Sequence, residues 1–186
     1  MKWRFVMYTF SFKNGDVLEI KGIKHAAFAS QETHCFEASL YLNNKRIGVV
    51  SNEGHGGCDR FDPCGNLEDG SYHANNKLYK DACWHMKDEG VWVSKWDGEE
   101  HALTMEIWCC DMVNQWLHHK DFKNYIKSKV VYVKPDEKAI NYVSFKGVKK
   151  VTQRYIDHVK AKYPNYKILN DMPEPEAFDL WMANLA

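Results

Sequence analysis

The chain is 186 residues long, 45% apolar and 14% aromatic, with 25 Lys/Arg against 25 Asp/Glu. That much apolar surface can meet the ordering cost of folding, which excludes a disordered chain. Net neutrality excludes a DNA mimic, and the lack of any run of about 18 apolar residues predicts no membrane span.

In chain order, Trp3 to Lys13 is aromatic and β-branched enough for a strand, and Asn14-Gly15 predicts a type I′ turn. Val17 to Ala29 follows as a second strand, with Gly22 as a bulge. Met1 to Phe12 carries Lys2 and Arg4 and looks like a short signal peptide. It lacks a small-residue cleavage site and runs straight into the turn, so it is read as part of the fold. Gln31-Glu32-Thr33 reads as a loop. His34 to Leu42 and Lys45 to Ser51 form the clearest hairpin, turning at Asn43-Asn44. This register puts Phe36, Ala38, Leu40, Leu42, Ile47 and Val49 on one face, and Glu37, Ser39, Tyr41 and Arg46 on the other.

Residues 52–72 contain Gly54-His55-Gly56-Gly57 and read as a long irregular loop, a feature that is often functional. Ala74, Leu78, Ala82 and Met86 recur at i+4 and predict a helix over about 74–88. Val91 to Trp96 predicts a short strand. Asp97 with Glu100 predicts the N-cap of a central helix over about 98–119, with Met105, Cys109, Met112, Val113, Trp116 and Leu117 on its apolar face. Val130 to Val133 and Ala139 to Phe145 predict two strands around Pro135-Asp136. Val148, Val151, Tyr155, Ile156 and Val159 predict a helix ended by Pro164-Asn165. Pro173 to Pro175 opens a short last helix with Phe178, Trp181 and Leu185. The predicted fold is α+β, one domain over 1–186, β-rich over about 1–72 and helical and basic over about 73–186. An antiparallel sheet with N-terminal hairpins, extended by the strands near 130–145, packs against two or three helices.

The stretch Ala27-Phe28-Ala29-Ser30-Gln31-Glu32-Thr33, then Phe36-Glu37-Ala38, then Gly48-Val49-Val50-Ser51-Asn52-Glu53-Gly54-His55-Gly56-Gly57 resembles a pattern in small, uncharacterised proteins of phages and mobile elements. The resemblance covers about residues 23–61. It implies a mobile-element setting and, with it, binding to a host protein such as a defence component. It implies no catalytic residue.

Four constellations bear on chemistry. Glycine-freed amides over Gly54–Gly57 can face an anion, but the loop leads to Asp59-Arg60-Phe61 and Pro63 instead of a helix with Lys and Ser or Thr. It is therefore no Walker or dinucleotide motif. The alternatives are a tight connection needing positive φ and a partner-binding loop. His55, Cys58, Cys64, His73, Cys83 and His85 fall close in sequence, but without a paired C-x-x-C knuckle, and the alternative to zinc is buried thiols with surface imidazoles. Cys58 or Cys35 with His55, His34 or His25 as base forms a thiol-nucleophile candidate. With no export signal, all six cysteines are expected as reduced thiols in a cytoplasm, and His118-His119 is read as compensating a helix C-terminus.

The fourth is charge. Residues 120–167 hold thirteen Lys/Arg against four Asp/Glu, interleaved with aromatic rings. Such a segment suits nucleic acid, an acidic protein, or simple solvation, and its preference for lysine over arginine argues against base reading. The leading expectation is a non-enzymatic binding protein, of the kind phages use to inhibit a host system, with a host protein as partner and no catalytic residue, metal or cofactor. Its contact residues are Asn52, Gly54, His55, Gly56, Gly57, Asp59 and Arg60 in the loop, with Lys123, Lys127, Lys146, Lys149, Lys150 and Arg154 on the basic face. The alternatives are a nucleic-acid binder using the basic 120–160 face and a small zinc or thiol enzyme centred on the 55–73 loop.

Overall fold

Alternating apolar and polar residues build five strands in the first third of the chain. The computed structural model describes residues 8–93 and 98–185. Thr9–Ser11 (β1), Val17–His25 (β2), Cys35–Leu42 (β3), Lys45–Glu53 (β4) and Arg60–Pro63 (β5) form an antiparallel meander in the order β1-β2-β3-β4-β5. The earlier part of the expected first strand, Trp3 to Met7, lies outside the described residues.

The turns follow backbone stereochemistry. Asn43 and Asn44 both take positive φ, 50° and 64°, as a type I′ turn requires. Asn43 also accepts the Val17 N–H at 2.8 Å and donates to Asp16 at 2.8 Å, which binds that turn to β2. The β1–β2 turn differs from the expected type I′ pair. Its left-handed residue is Gly15, at φ 91°, and Phe12 accepts the Gly15 N–H at 3.0 Å and donates to the Asp16 carbonyl at 2.8 Å. Asp16 accepts from the Asn14 side chain at 2.7 Å, which fits a wider connection than two residues allow.

Two bulges set the faces. Register shifts between Lys21 and Lys24, around Gly22 at φ 63°, as expected. A second shift leaves Ile47 unopposed, because Leu40 pairs Gly48 while Tyr41 pairs Arg46. The extra residue flips the alternation, so Val50 and Asn52 are buried and Val49, expected inside, is only half-buried. Phe36, Ala38, Leu40 and Ile47 are buried as expected, and Leu42 is half-buried.

The stretch expected to be irregular over 52–72 is irregular over 54–59 and 64–70 but holds a strand between them. β4 runs on to Glu53, and Arg60–Pro63 pairs along it as an edge strand, so the connecting loop is 54–59. Gly48 explains the pairing. A Cβ there would lie 2.5 Å from the Phe61 ring, so its absence lets Phe61 lie across β4. Phe61 stacks on Tyr79 at 3.9 Å, which seats Ser71–Met86 (α1) against this edge of the sheet. α1 begins a little before the predicted span.

The chain divides into two compact units at Trp116 and Leu117. The first also holds a hairpin of Val91–Val93 (β6) and Glu100–Ala102 (β7), and the first half of Met105–Ser128 (α2). The helix expected over 98–119 therefore starts later and runs further. Its cap is Thr104, whose Oγ1 accepts the Ile107 N–H at 3.2 Å. Ser94 to Asp97, including the expected cap and strand end, lie outside the described residues. Met105, Trp108, Cys109, Met112 and Val113 are buried, as the apolar face predicts.

The second unit corrects the expectation that strands near 130–145 extend the first sheet. Val130–Val133 (β8), Asn141–Val143 (β9) and Lys167–Ile168 (β10) form their own antiparallel sheet in the order β10-β8-β9. The reason lies in Val130-Val131-Tyr132-Val133, apolar on both faces. Val131 and Val133 pack with Phe122, Leu169, Ala177 and Trp181, whereas Val130 packs with Ile156, Val159 and Ile168. Two-sided burial needs a helix on each face, supplied by Gln153–Lys162 (α3) and Glu174–Ala183 (α4). His118 and His119 sit within α2 and not at its end. His119 is buried and bonds Glu174 at 2.9 Å. No helix among the described residues is long and apolar enough to cross a membrane.

Candidate functional site: a braced glycine loop

The loop between β4 and β5 is shaped by one buried amide. Asn52 is 7% exposed, because the β4 bulge turns it inward. Its Oδ1 accepts the Thr33 hydroxyl at 2.8 Å and the Gly54 N–H at 2.8 Å. Its Nδ2 donates to the Gly57 carbonyl at 2.8 Å and to Asp59 Oδ1 at 2.9 Å. All four polar valences of the amide are used, and they grip both ends of the loop.

Gly54 is the second fixed point. It holds φ 87°, and a Cβ would meet the Ala29 carbonyl oxygen at 2.2 Å. Its own carbonyl accepts the N–H groups of Gln31 at 2.9 Å and Glu32 at 3.0 Å. The 29–33 segment is thereby tied to the loop base, and Gly56 N–H adds a 3.3 Å bond to Thr33 Oγ1. On this base His55, Gly56, Gly57 and Cys58 stand exposed. Of the expected contact residues, His55, Gly56 and Gly57 form the tip. Asn52, Gly54 and Asp59 support it from within. Arg60 is exposed on β5.

Asp59 is electrostatically unusual. Burial pushes its carboxyl up to about 6, the Asn52 hydrogen bond pulls against that, and the Glu106 charge adds to the rise. Its Oδ2 is buried without a hydrogen-bond partner among the described residues. Beside it lies a cavity of about 230 Å³, walled by Phe36, Trp92 and Ile107 and edged by Asp59, Glu106 and Asp111.

Behind the loop His25 and His34 lie edge to face, with Nε2 of His25 3.2 Å from Nδ1 of His34. His34 Nε2 lies 2.8 Å from Asn114 Oδ1, an acceptor, which assigns the His34 proton to Nε2. These imidazoles, considered as bases for a thiol, are engaged with each other and with Ser30 and Asn114.

The thiols are dispersed. All six are free: Cys58 and Cys110 exposed, Cys109 buried. Cys64 donates to the Arg46 carbonyl at 3.2 Å, and burial pushes the Cys83 thiol up. Among the described residues no group of three or more His, Cys, Asp or Glu is placed to hold a metal ion.

In the second unit all six expected basic-face residues are exposed. Lys123 pairs Glu174 at 3.1 Å, whereas Lys127, Lys146, Lys149, Lys150 and Arg154 have no carboxylate partner among the described residues. Lys129, which belongs to the same basic, ring-interleaved segment, sets its ammonium 4.0 Å from the Tyr125 ring centre and 3.9 Å from that of Tyr142. Alternation about Val130 could have paired Tyr142 with this end of α2, but no local motif marks it. The cavity residues Trp92, Glu106 and Ile107 carry no sequence signal either, since they converge from separate elements.

Comparison with protein-family models, with curated proteins and with solved structures returns no match for this chain.

Proposed function

We propose that this chain is a non-enzymatic binding protein whose 55–58 loop tip docks on a protein partner. One observation carries the reading: a buried asparagine spends every hydrogen bond on holding an exposed, glycine-rich tip in one shape. Fixing a loop before contact lowers the ordering cost of binding. Loops held on a rigid sheet are also where recognition residues concentrate. The resemblance over about residues 23–61 extends the reading to a phage accessory protein that inhibits a host system in the host cytoplasm. The test is retention of one host protein by the immobilised chain, compared with a His55→Glu, Gly57→Arg variant. Retention by the wild type that the tip variant loses supports the reading. Equal retention, or none at modest salt, contradicts it.

A nucleic-acid role is a second reading. Among the described residues the exposed Lys127, Lys146, Lys149, Lys150 and Arg154 have no carboxylate partner, while Lys123, Lys134 and Lys160 are neutralised by Glu174, Glu137 and Asp171. Uncompensated positive charge along one stretch of surface is what phosphate backbones neutralise.

A further inference from the structure

The second unit sets a lysine ammonium and several exposed cations near an edge-to-face pair of tyrosines. The chain leaving β9 turns back so that the Val151 N–H bonds the Lys127 carbonyl at 2.8 Å. That bond brings the Lys146–Lys150 connection against the C-terminal end of α2, where Lys127 and Lys129 lie. Arg154 follows in the first turn of α3. Tyr142, on β9 at the edge of the sheet, is 49% exposed, and its ring packs edge-on to Tyr125 at 5.8 Å. The Lys129 ammonium lies against both rings. The Tyr142 ring and the Lys129 ammonium thus lie in the same unit as the backbone contact that brings the 146–150 connection to the end of α2.

Resting on the nucleic-acid reading above, we infer that this surface takes a single strand: a backbone neutralised by Lys127, Lys146, Lys149 and Lys150, with a base stacked on Tyr142. A duplex hides its base faces and offers Tyr142 nothing to stack on, whereas every unpaired base has a free π-face. Lysines neutralise phosphate as point charges but do not make the forked contacts that read base edges, so the site tolerates sequence. Lys129 on the ring strengthens such a stack by adding a cation to the π-system.

The test is fluorescence anisotropy of the intact chain with labelled oligo-dT and oligo-U of about 20 nucleotides, the matching duplex, and heparin as a polyanion control. Both single strands bind at low salt, and affinity falls by about 50-fold between roughly 50 and 200 mM salt if about four phosphates are neutralised. The two oligomers separate DNA from RNA as the physiological source. Charge reversal by Lys127→Glu with Lys150→Glu lowers affinity by at least about tenfold and flattens the salt slope. Tyr142→Leu lowers it by about tenfold at unchanged slope, and Tyr142→Phe, which keeps the ring, binds like the wild type. Duplex or heparin bound as tightly as the strands, or no effect of Tyr142→Leu in a folded variant, overturns the single-strand inference and leaves the broader reading standing. Binding to no nucleic acid at low salt overturns both.

Discussion

Asn52 Nδ2 donates to Asp59 Oδ1 at 2.9 Å, joining the last inward residue of β4 to the residue that precedes β5. The same amide binds Thr33, Gly54 and Gly57. A hairpin does not need such a brace to close. The brace fixes the shape of an exposed tip, and the predictions below follow from it.

Asn52→Ala strips the partners of four groups at once. A buried hydrogen bond contributes about 1 kcal/mol net, and orphaned buried groups cost more, so the loss is about 2–3 kcal/mol. Urea unfolding followed by tryptophan fluorescence measures it. A change below about 0.5 kcal/mol would show that the amide is not organising the loop.

Gly54→Ala and Gly57→Ala should behave oppositely. At Gly54 a methyl meets the Ala29 carbonyl at 2.2 Å and the backbone is left-handed. The expected cost is about 3 kcal/mol. At Gly57 no atom of the described residues beyond its chain neighbours lies within 4 Å of the added methyl. That variant should keep wild-type stability to within about 0.5 kcal/mol. Thermal melts of the pair read the difference directly.

Stability should fall as pH rises past the Asp59 carboxyl. Its folded pKa of about 6 exceeds the unfolded value of about 3.9, so the native state binds the proton more tightly. The stabilisation is present below about pH 4 and is lost on rising through about pH 6. Allowing for solvent screening at a partly exposed group, the loss is roughly 1–2 kcal/mol. Asp59→Asn keeps an oxygen for Asn52 and should remove this part of the pH dependence while raising stability at neutral pH. Parallel unfolding curves for wild type and variant across that pH range would contradict the assignment.

Thiol labelling should follow exposure. Cys58, at the loop tip, alkylates first. Cys109 is fully buried, and burial pushes its thiol well up, so it labels only on unfolding. Peptide mapping by mass spectrometry after graded alkylation gives the order.

Much of this was legible in the sequence because it is local. The Asn43-Asn44 turn, the Gly22 bulge, α1 and the strands flanking Pro135 follow from φ preferences and periodicity within a few residues. Three features were not legible. The Ile47 bulge inverts the face of half a strand, yet Ile47-Gly48-Val49-Val50 reads equally well in either register. Arg60–Pro63 becomes a strand only because Phe61 finds the gap at Gly48 and Tyr79 beyond it. The separate sheet around Val130–Val133 depends on two clusters whose members lie up to about fifty residues away. For the site, the glycine run and its neighbours stood out, but their division into exposed tip and buried brace did not. That division follows from the bulge, which decides that Asn52 points inward.

The most direct test places a photo-crosslinking amino acid at His55, on the tip, and in a separate variant at Lys45, at the other end of β4. The account predicts one discrete adduct from position 55 in host cells, absent from position 45 and lost when Gly57→Arg is added. Matching adducts from both positions, or none from position 55, would contradict it.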